Sequence, residues 1–173
     1  NTLDKNGYEG FVVGGCVRDS LLNIKPGDWD ITTNAVPTEI KSLFPHTVDT
    51  GIKHGTVTVV MNSKNYEVTT YRIEDKYIRN RKPESVRFTS SLTEDLSRRD
   101  FTVNAMAYNP SRGLVDPFNG LEDIGKKLLR TVGDAYARFS EDALRMLRCI
   151  RFSAQLGFSI DADTFDAICR NSM

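Results

Sequence analysis

The chain has little of what usually announces a function. It has two histidines, one tryptophan and three cysteines in 173 residues. Cys16, Cys149 and Cys169 are odd in number and widely spaced. That excludes a closed disulfide framework and a cysteine-built zinc site. Free buried thiols in a reducing cytosol are expected instead, so the localisation expected is cytoplasmic. His46 and His54 lack the spacing of a ligand pair. No apolar run approaches the ~20 residues of a membrane-spanning helix, and no signal peptide is visible. Charge of one sign is also missing, because 23 Lys+Arg balance 23 Asp+Glu. The whole chain therefore exerts no global pull on nucleic acid or membrane. A nucleic-acid role needs local basic clusters or a partner region. There is no internal repeat and no low-complexity tract.

What is present is ordinary for a globular protein: 39% hydrophobic and 27% charged residues. The length allows one good core and a small appendage. Phe11-Val12-Val13 reads as a strand, broken by Gly14-Gly15, with a helix over Cys16 to Leu22. Trp29 to Thr33 is the next strand, and Pro37 suits the first turn of a helix to Phe44. Thr56 to Met61 and Tyr66 to Tyr71 flank Asn62-Ser63-Lys64-Asn65, a hairpin signal. Arg72 to Ser90 is charged and aperiodic and reads as a long mobile loop. Leu92 to Arg98 is helical, and Asn104 to Tyr108, Leu114 to Asp116 and Leu128 to Val132 read as strands. After Gly133 the pattern turns helical, with Ala143, Leu147, Ile150 and Ala154 on one stripe of a helix from Glu141 to Leu156. An α+β unit is expected over residues 1–133 and a helical one over 134–173, continuing in a longer protein. Trp29, Phe11, Phe44 and Tyr66 are expected in the core.

Pro26-Gly27-Asp28-Trp29-Asp30-Ile31 places two carboxylates at i and i+2, on one face of a strand. They repel each other unless the strand end is solvated or a cation sits between them. Glu67, flanked by β-formers, can join them from a neighbouring antiparallel strand. Three carboxylates make a hard-oxygen site suited to Mg²⁺, and two such ions clamp the oxygens of a phosphoryl displacement. Gly14-Gly15 lies between strand and helix, where backbone can approach a triphosphate and free N–H groups hold anions. Arg18, one turn on, adds a charged contact.

G-G-C-V-R-D, D-W-D-I, E-V-T-T-Y-R, L-S-R-R-D-F-T-V-N-A-M and F-S-E-D-A-L-R-M-L-R-C-I-R-F occur in this order. In this the chain resembles the class II tRNA nucleotidyltransferase family, which includes CCA-adding enzymes and bacterial poly(A) polymerases. The resemblance runs from about Phe11 to Gly157. It implies a head domain of the DNA polymerase β nucleotidyltransferase type, a mixed sheet with flanking helices. The start of an all-α neck follows, and the body and tail that hold tRNA lie outside the chain. By resemblance Asp28, Asp30 and Glu67 are the metal-binding and catalytic carboxylates. Gly14, Gly15 and Arg18 belong to the triphosphate motif, and Arg99 contacts nucleotide. Asp100 and Asn104 serve ribose recognition, and Asp142, Arg145, Arg148 and Arg151 face the nucleotide from the neck. The Arg72–Ser90 loop is present, whereas a CC-adding member is expected to have it shortened.

Base choice has a simple physical form in that family. An ionised Asp only accepts and an Arg only donates. Asp142 can accept from the exocyclic amine of C or A while Arg145 donates to the neighbouring ring nitrogen. U and G present a carbonyl and an N–H in those places and are rejected. The expected activity is template-independent addition of nucleotides from CTP and ATP to the 3′ end of tRNA, with Mg²⁺ and release of pyrophosphate. Poly(A) polymerase activity, a non-catalytic nucleotide-binding module and a structural piece of an assembly are the alternatives. Asp142 with Arg145, and Glu141 with Arg145, are equally ordinary helix salt bridges.

Overall fold

The computed structural model describes residues 2–74, 77–78, 82–83 and 85–171. In chain order the elements are α1 (Thr2–Lys5), β1 (Gly10–Val13), α2 (Gly15–Leu21), β2 (Asp30–Thr33), α3 (Pro37–Leu43), β3 (Thr47–Gly51), β4 (Thr56–Met61) and β5 (Lys64–Thr70). Then come β6 (Arg72–Glu74), β7 (Tyr77–Ile78), β8 (Lys82–Pro83), β9 (Val86–Phe88), α4 (Leu92–Ser97), β10 (Ala107–Asn109), β11 (Gly113–Val115) and α5 (Gly120–Lys126). The chain closes with β12 (Leu128–Leu129), α6 (Ala135–Glu141), α7 (Leu144–Leu156), β13 (Ser159–Ile160) and α8 (Ala162–Asn171). Helices and a mixed sheet make this the expected α+β fold.

A seven-stranded sheet runs β11-β10-β1-β2-β5-β4-β3. Its pairings are antiparallel except β2 with β5. Parallel neighbours need a crossover, here supplied by α3, β3 and β4. Glu67 therefore comes beside Asp30 from a parallel strand, not from the antiparallel one the sequence led us to expect. The hairpin turn is tighter than expected: Asn62 and Ser63 alone make it, with φ of 50° and 58°. Two positive φ angles match the right-handed twist of the flanking strands, so β5 begins at Lys64 rather than Tyr66.

One face of the sheet packs Phe11, Val13, Tyr71, Leu96 and Ala107. Another cluster gathers Leu3, Ala35, Ile40, Val57, Val59 and Val68. A third joins the sheet unit to the helical one, because Phe101, Val103, Met106 and Leu129 pack with Cys149 and Phe158. The short parallel pair β12–β13 crosses the same junction. Cys16 and Cys149 are buried as expected, but Cys169 is exposed.

Several expectations need correction. The segment from Arg72 is not a plain loop, since β6 pairs with β9 and β7 with β8. Residues 75–76, 79–81 and 84 lie outside the described ones. The helix expected from Glu141 to Leu156 is broken. Asp142 is extended, with φ −142° and ψ 102°, and its Oδ1 accepts the Leu144 N–H at 3.0 Å. That side chain closes a local turn that competes with helix. The expected apolar stripe faces outward, with Leu147 65% and Ile150 53% exposed. The buried face of α7 carries Arg145 and Cys149 instead. Asn104 lies in a short 3-10 turn, Thr102–Asn104, before β10 rather than in a strand. Trp29 was expected in the core, yet it is 39% exposed.

Gly120, at the start of α5, packs on that turn. A Cβ there would stand 2.3 Å from the Thr102 carbonyl oxygen. Gly120→Ala should lower stability by about 1–3 kcal/mol through overpacking, measured by urea unfolding. Unchanged stability would show that the turn yields freely.

Candidate active site

The site begins at the end of β1. Gly14 has φ 80°, and a Cβ on it would come within 2.9 Å of Arg99 Nη1. The positive φ is what favours glycine here, and a Cβ would in addition displace the end of the Arg99 side chain. Gly15 starts α2, and Arg18 on that helix is buried. Arg18 Nη1 donates to Asn104 Oδ1 at 2.6 Å, and its Nε and Nη2 donate to Asp19 Oδ1.

The network continues through Asn104. Its Nδ2 donates to Asp100 Oδ1 at 3.3 Å, and Arg148 Nε donates to Asp100 Oδ2 at 2.7 Å. So Arg18, Asn104, Asp100 and Arg148 form one chain of contacts from the sheet unit to α7. Phe152, one turn beyond Arg148, is its hydrophobic post. The guanidinium carbons of Arg18, Arg148 and Arg151 stand 5.2, 5.1 and 4.9 Å from the Phe152 ring centroid. Phe101 meets the same ring edge-on at 6.0 Å.

Asp95 is the second anchor, buried completely. Its Oδ1 accepts from Arg98 Nε and Nη2 and from the Arg72 N–H, and its Oδ2 from Thr32 Oγ1 at 3.1 Å. Arg99 Nη2 lies 3.7 Å from Asp95 Oδ2. Burial pulls the Arg99 pKa down, with Asp95 the first of the acids opposing it. Arg99 Nε is buried without a hydrogen-bond partner among the described residues.

Asp28, Asp30 and Glu67 are exposed. The register sets Asp30 beside Glu67 and Ile31 beside Val68. Desolvation pushes the Asp30 carboxyl above its ordinary range, Arg99 pulls it back, and Asp28 pushes it up again. Among the described residues no three His, Cys, Asp or Glu side chains converge as a finished metal shell. The three carboxylates thus share one sheet end without forming a closed cage.

Asp142 sits at the break between α6 and α7. Arg145 is buried, and its Nη1 donates to Glu141 Oε2 at 2.7 Å and to the Arg138 carbonyl. Its Nη2 donates to the Arg98 carbonyl at 3.2 Å. Of the two helix pairs open from sequence, the i,i+4 one with Glu141 is therefore the one formed. Arg151 is exposed and touches the site through Phe152.

Asp19, Asp95, Glu141 and Phe152 hold these residues and were missed as site residues. Asp95 with Arg98 and Arg99, and Phe152 with Arg148, have readable helix spacings. The contacts of Arg18 with Asn104 and Phe152 join distant segments, and no local pattern reveals them.

A glycine turn between strand and helix, carboxylates on the adjoining strands and an arginine set from a following helix define a nucleotidyltransferase head domain. Residues 10–130 match the family model of the poly(A) polymerase head domain, and the chain belongs to that family. It is 56% identical over 99% of its length to a CCA-adding enzyme of Geobacillus sp. (strain WCH70), and 51% identical over 96% to one of Staphylococcus aureus (strain MRSA252). In each case it spans 42% of the relative's length. The Bacillus stearothermophilus CCA-adding enzyme in complex with CTP superposes with a TM-score of 0.91 at 48% identity, covering 98% of this chain and 41% of that one. A Thermotoga maritima CCA-adding enzyme complexed with tRNA gives 0.78 at 29% identity, covering 98% and 39%.

Phe152→Leu keeps an apolar side chain but removes the ring face shared by three arginines. It should cost about 1–2 kcal/mol in urea unfolding, while Phe152→Trp should largely keep stability. Equal losses in both would mean that packing alone matters.

Proposed function

We propose that this chain is the catalytic head, residues 1–133, and the start of the helical neck, residues 134–173, of a CCA-adding tRNA nucleotidyltransferase. It adds nucleotides from CTP and ATP to the 3′ end of tRNA and releases pyrophosphate, without a nucleic-acid template. The observation that carries this is the register of β2 and β5. It sets Asp30 beside Glu67, next to the β1 end where Gly14 and Arg99 meet.

Asp28, Asp30 and Glu67 fit Mg²⁺ by donor type, exposure and shared sheet end. The Asp30 carboxyl is raised first by desolvation and to a smaller degree by Asp28. Mg²⁺ bound there supplies charge neutralisation at the attacking and leaving oxygens. The backbone at Gly14 and Gly15 approaches the triphosphate, and Arg18 and Arg99 supply its charged contacts. Asp100 and Asn104, already locked to Arg148 and Arg18, present the ribose contacts. The tRNA is held mainly by the body and tail of the longer protein, as the relatives' length supports.

Asp142 and Arg145 read the base. Glu141 and the carbonyls of Arg138 and Arg98 fix the plane of the Arg145 guanidinium. The helix break leaves Asp142 half-buried outside any helix, with Oδ1 on the Leu144 N–H and Oδ2 as the remaining acceptor. A poly(A) polymerase shares such a head, but the curated relatives named above are CCA-adding enzymes.

Asp28→Asn or Asp30→Asn should abolish incorporation in the full-length protein while unfolding curves stay unchanged. Near-normal turnover of either variant with Mg²⁺ would remove these residues from the metal site. Asp142→Ala should raise the relative use of UTP and GTP by roughly tenfold to a hundredfold, the reach of a contact of about 1–3 kcal/mol. Single-nucleotide incorporation with all four NTPs checks this, and an unchanged preference for C and A would leave Asp142 a helix cap only.

A further inference from the structure

The helical unit meets the end of α4 through two arginines. α4 stops at Ser97, and the last carbonyls of a helix have no partner within it. Arg138 Nη2 donates to the Ser97 carbonyl at 2.6 Å, and Arg145 Nη2 donates to the Arg98 carbonyl at 3.2 Å. Two successive carbonyls at one helix end therefore receive guanidinium groups from α6 and α7. The next residue in the chain is Arg99, which lies at the Gly14 turn.

Arg138 does more than cap a helix. Its Nε donates to the Val132 carbonyl at 2.9 Å, in the link between the sheet unit and α6. Its Nη1 donates to Glu141 Oε2 at 3.0 Å. All three guanidinium nitrogens are thus engaged, on α4, on the link and on α6. The same Glu141 oxygen accepts from Arg145 Nη1 at 2.7 Å, and the Arg138 carbonyl accepts from that nitrogen at 3.2 Å. Arg138 therefore holds both acceptors on which Arg145 Nη1 rests. It also fastens them to the carbonyl beside the one that Arg145 Nη2 uses.

This matters because a base edge is read by distance and angle. An Arg145 guanidinium held in one plane donates to the ring nitrogen of C or A and meets an N–H in U or G. One free to swing can donate instead to the carbonyl that U and G carry. Resting on the reading of Asp142 and Arg145 as the base readers, we infer that Arg138 is a positioning residue for base choice. It locks the Arg145 plane and fixes that plane relative to Arg99. Three acceptors on three segments need a planar fork, which the single charged nitrogen of lysine cannot supply.

The test uses the full-length protein and single-nucleotide incorporation with all four NTPs, on tRNA lacking C-C-A and on tRNA ending in C-C. Arg138→Lys keeps the charge and loses the fork. It should lower the preference for CTP over UTP and for ATP over GTP about tenfold in kcat/KM, with the protein folded by urea unfolding. Added to Arg145→Ala, it should cause no further loss of preference, because Arg138 acts through Arg145. An arginine that only stabilises the fold would lower turnover with the four NTPs alike, and an unchanged preference in Arg138→Lys overturns the proposal. So does a full additional loss of preference in the double variant. If Arg145→Ala alone leaves the preference unchanged, the base-reading assignment fails and this proposal falls with it. Arg138→Gln, which keeps a planar donor without the charge, is read in the same way should the lysine variant not fold.

Discussion

Each buried or half-buried arginine at the centre of the site is matched by a carboxylate, and the arrangement depends on that neutralisation. Asp95 holds Arg98 and stands beside Arg99, Asp100 holds Arg148, Asp19 holds Arg18, and Glu141 holds Arg145. Guanidinium groups crowded together in a partly buried space repel one another and resist desolvation. Pairing each with an acid lets them gather without unfolding the region. The result is a cluster of arginines with little net charge, in keeping with the balance of the whole chain. The pairing restricts the arginines as well, since a guanidinium held on one edge keeps a defined plane.

The two units are joined by the same chemistry. Arg148 from α7 and Arg18 from α2 meet through Asp100 and Asn104, with Phe152 underneath. Buried apolar contacts of Phe101 and Leu129 with Cys149 and Phe158 support this polar chain from below. A partly satisfied polar network would cost more than it contributes. The apolar contacts hold the distances at which it is satisfied.

The sheet performs a different task. The crossover between β2 and β5 brings residues far apart in the chain into register, and period two then sorts them. Asp30 and Glu67 share one rung, with Trp29 and Tyr66 just before it. One strand pairing therefore sets Asp30 and Glu67 on one face and turns Tyr66, by alternation, to the other.

Much of this was legible in the residues. Gly14-Gly15 before a helix, Asp28 and Asp30 two apart, and the β-rich run around Glu67 carry their chemistry locally. So do helix spacings such as Glu141 with Arg145. Boundaries were less legible where a side chain rewrote the backbone, as when the Asp142 carboxylate took the Leu144 N–H and split a helix. The outward stripe of Leu147 and Ile150 misled because periodicity shows that a face is apolar, not what it meets. The sequence by itself determined which residues carry charge, that Gly14-Gly15 turns the chain from strand to helix, and that β1, β2, β4 and β5 are strands, because those depend on neighbours a few positions away. Only the tertiary structure decided that β2 and β5 run parallel, that Arg18 reaches Asn104 and Phe152, and that Trp29 lies open. Those depend on contacts between segments that the chain keeps far apart.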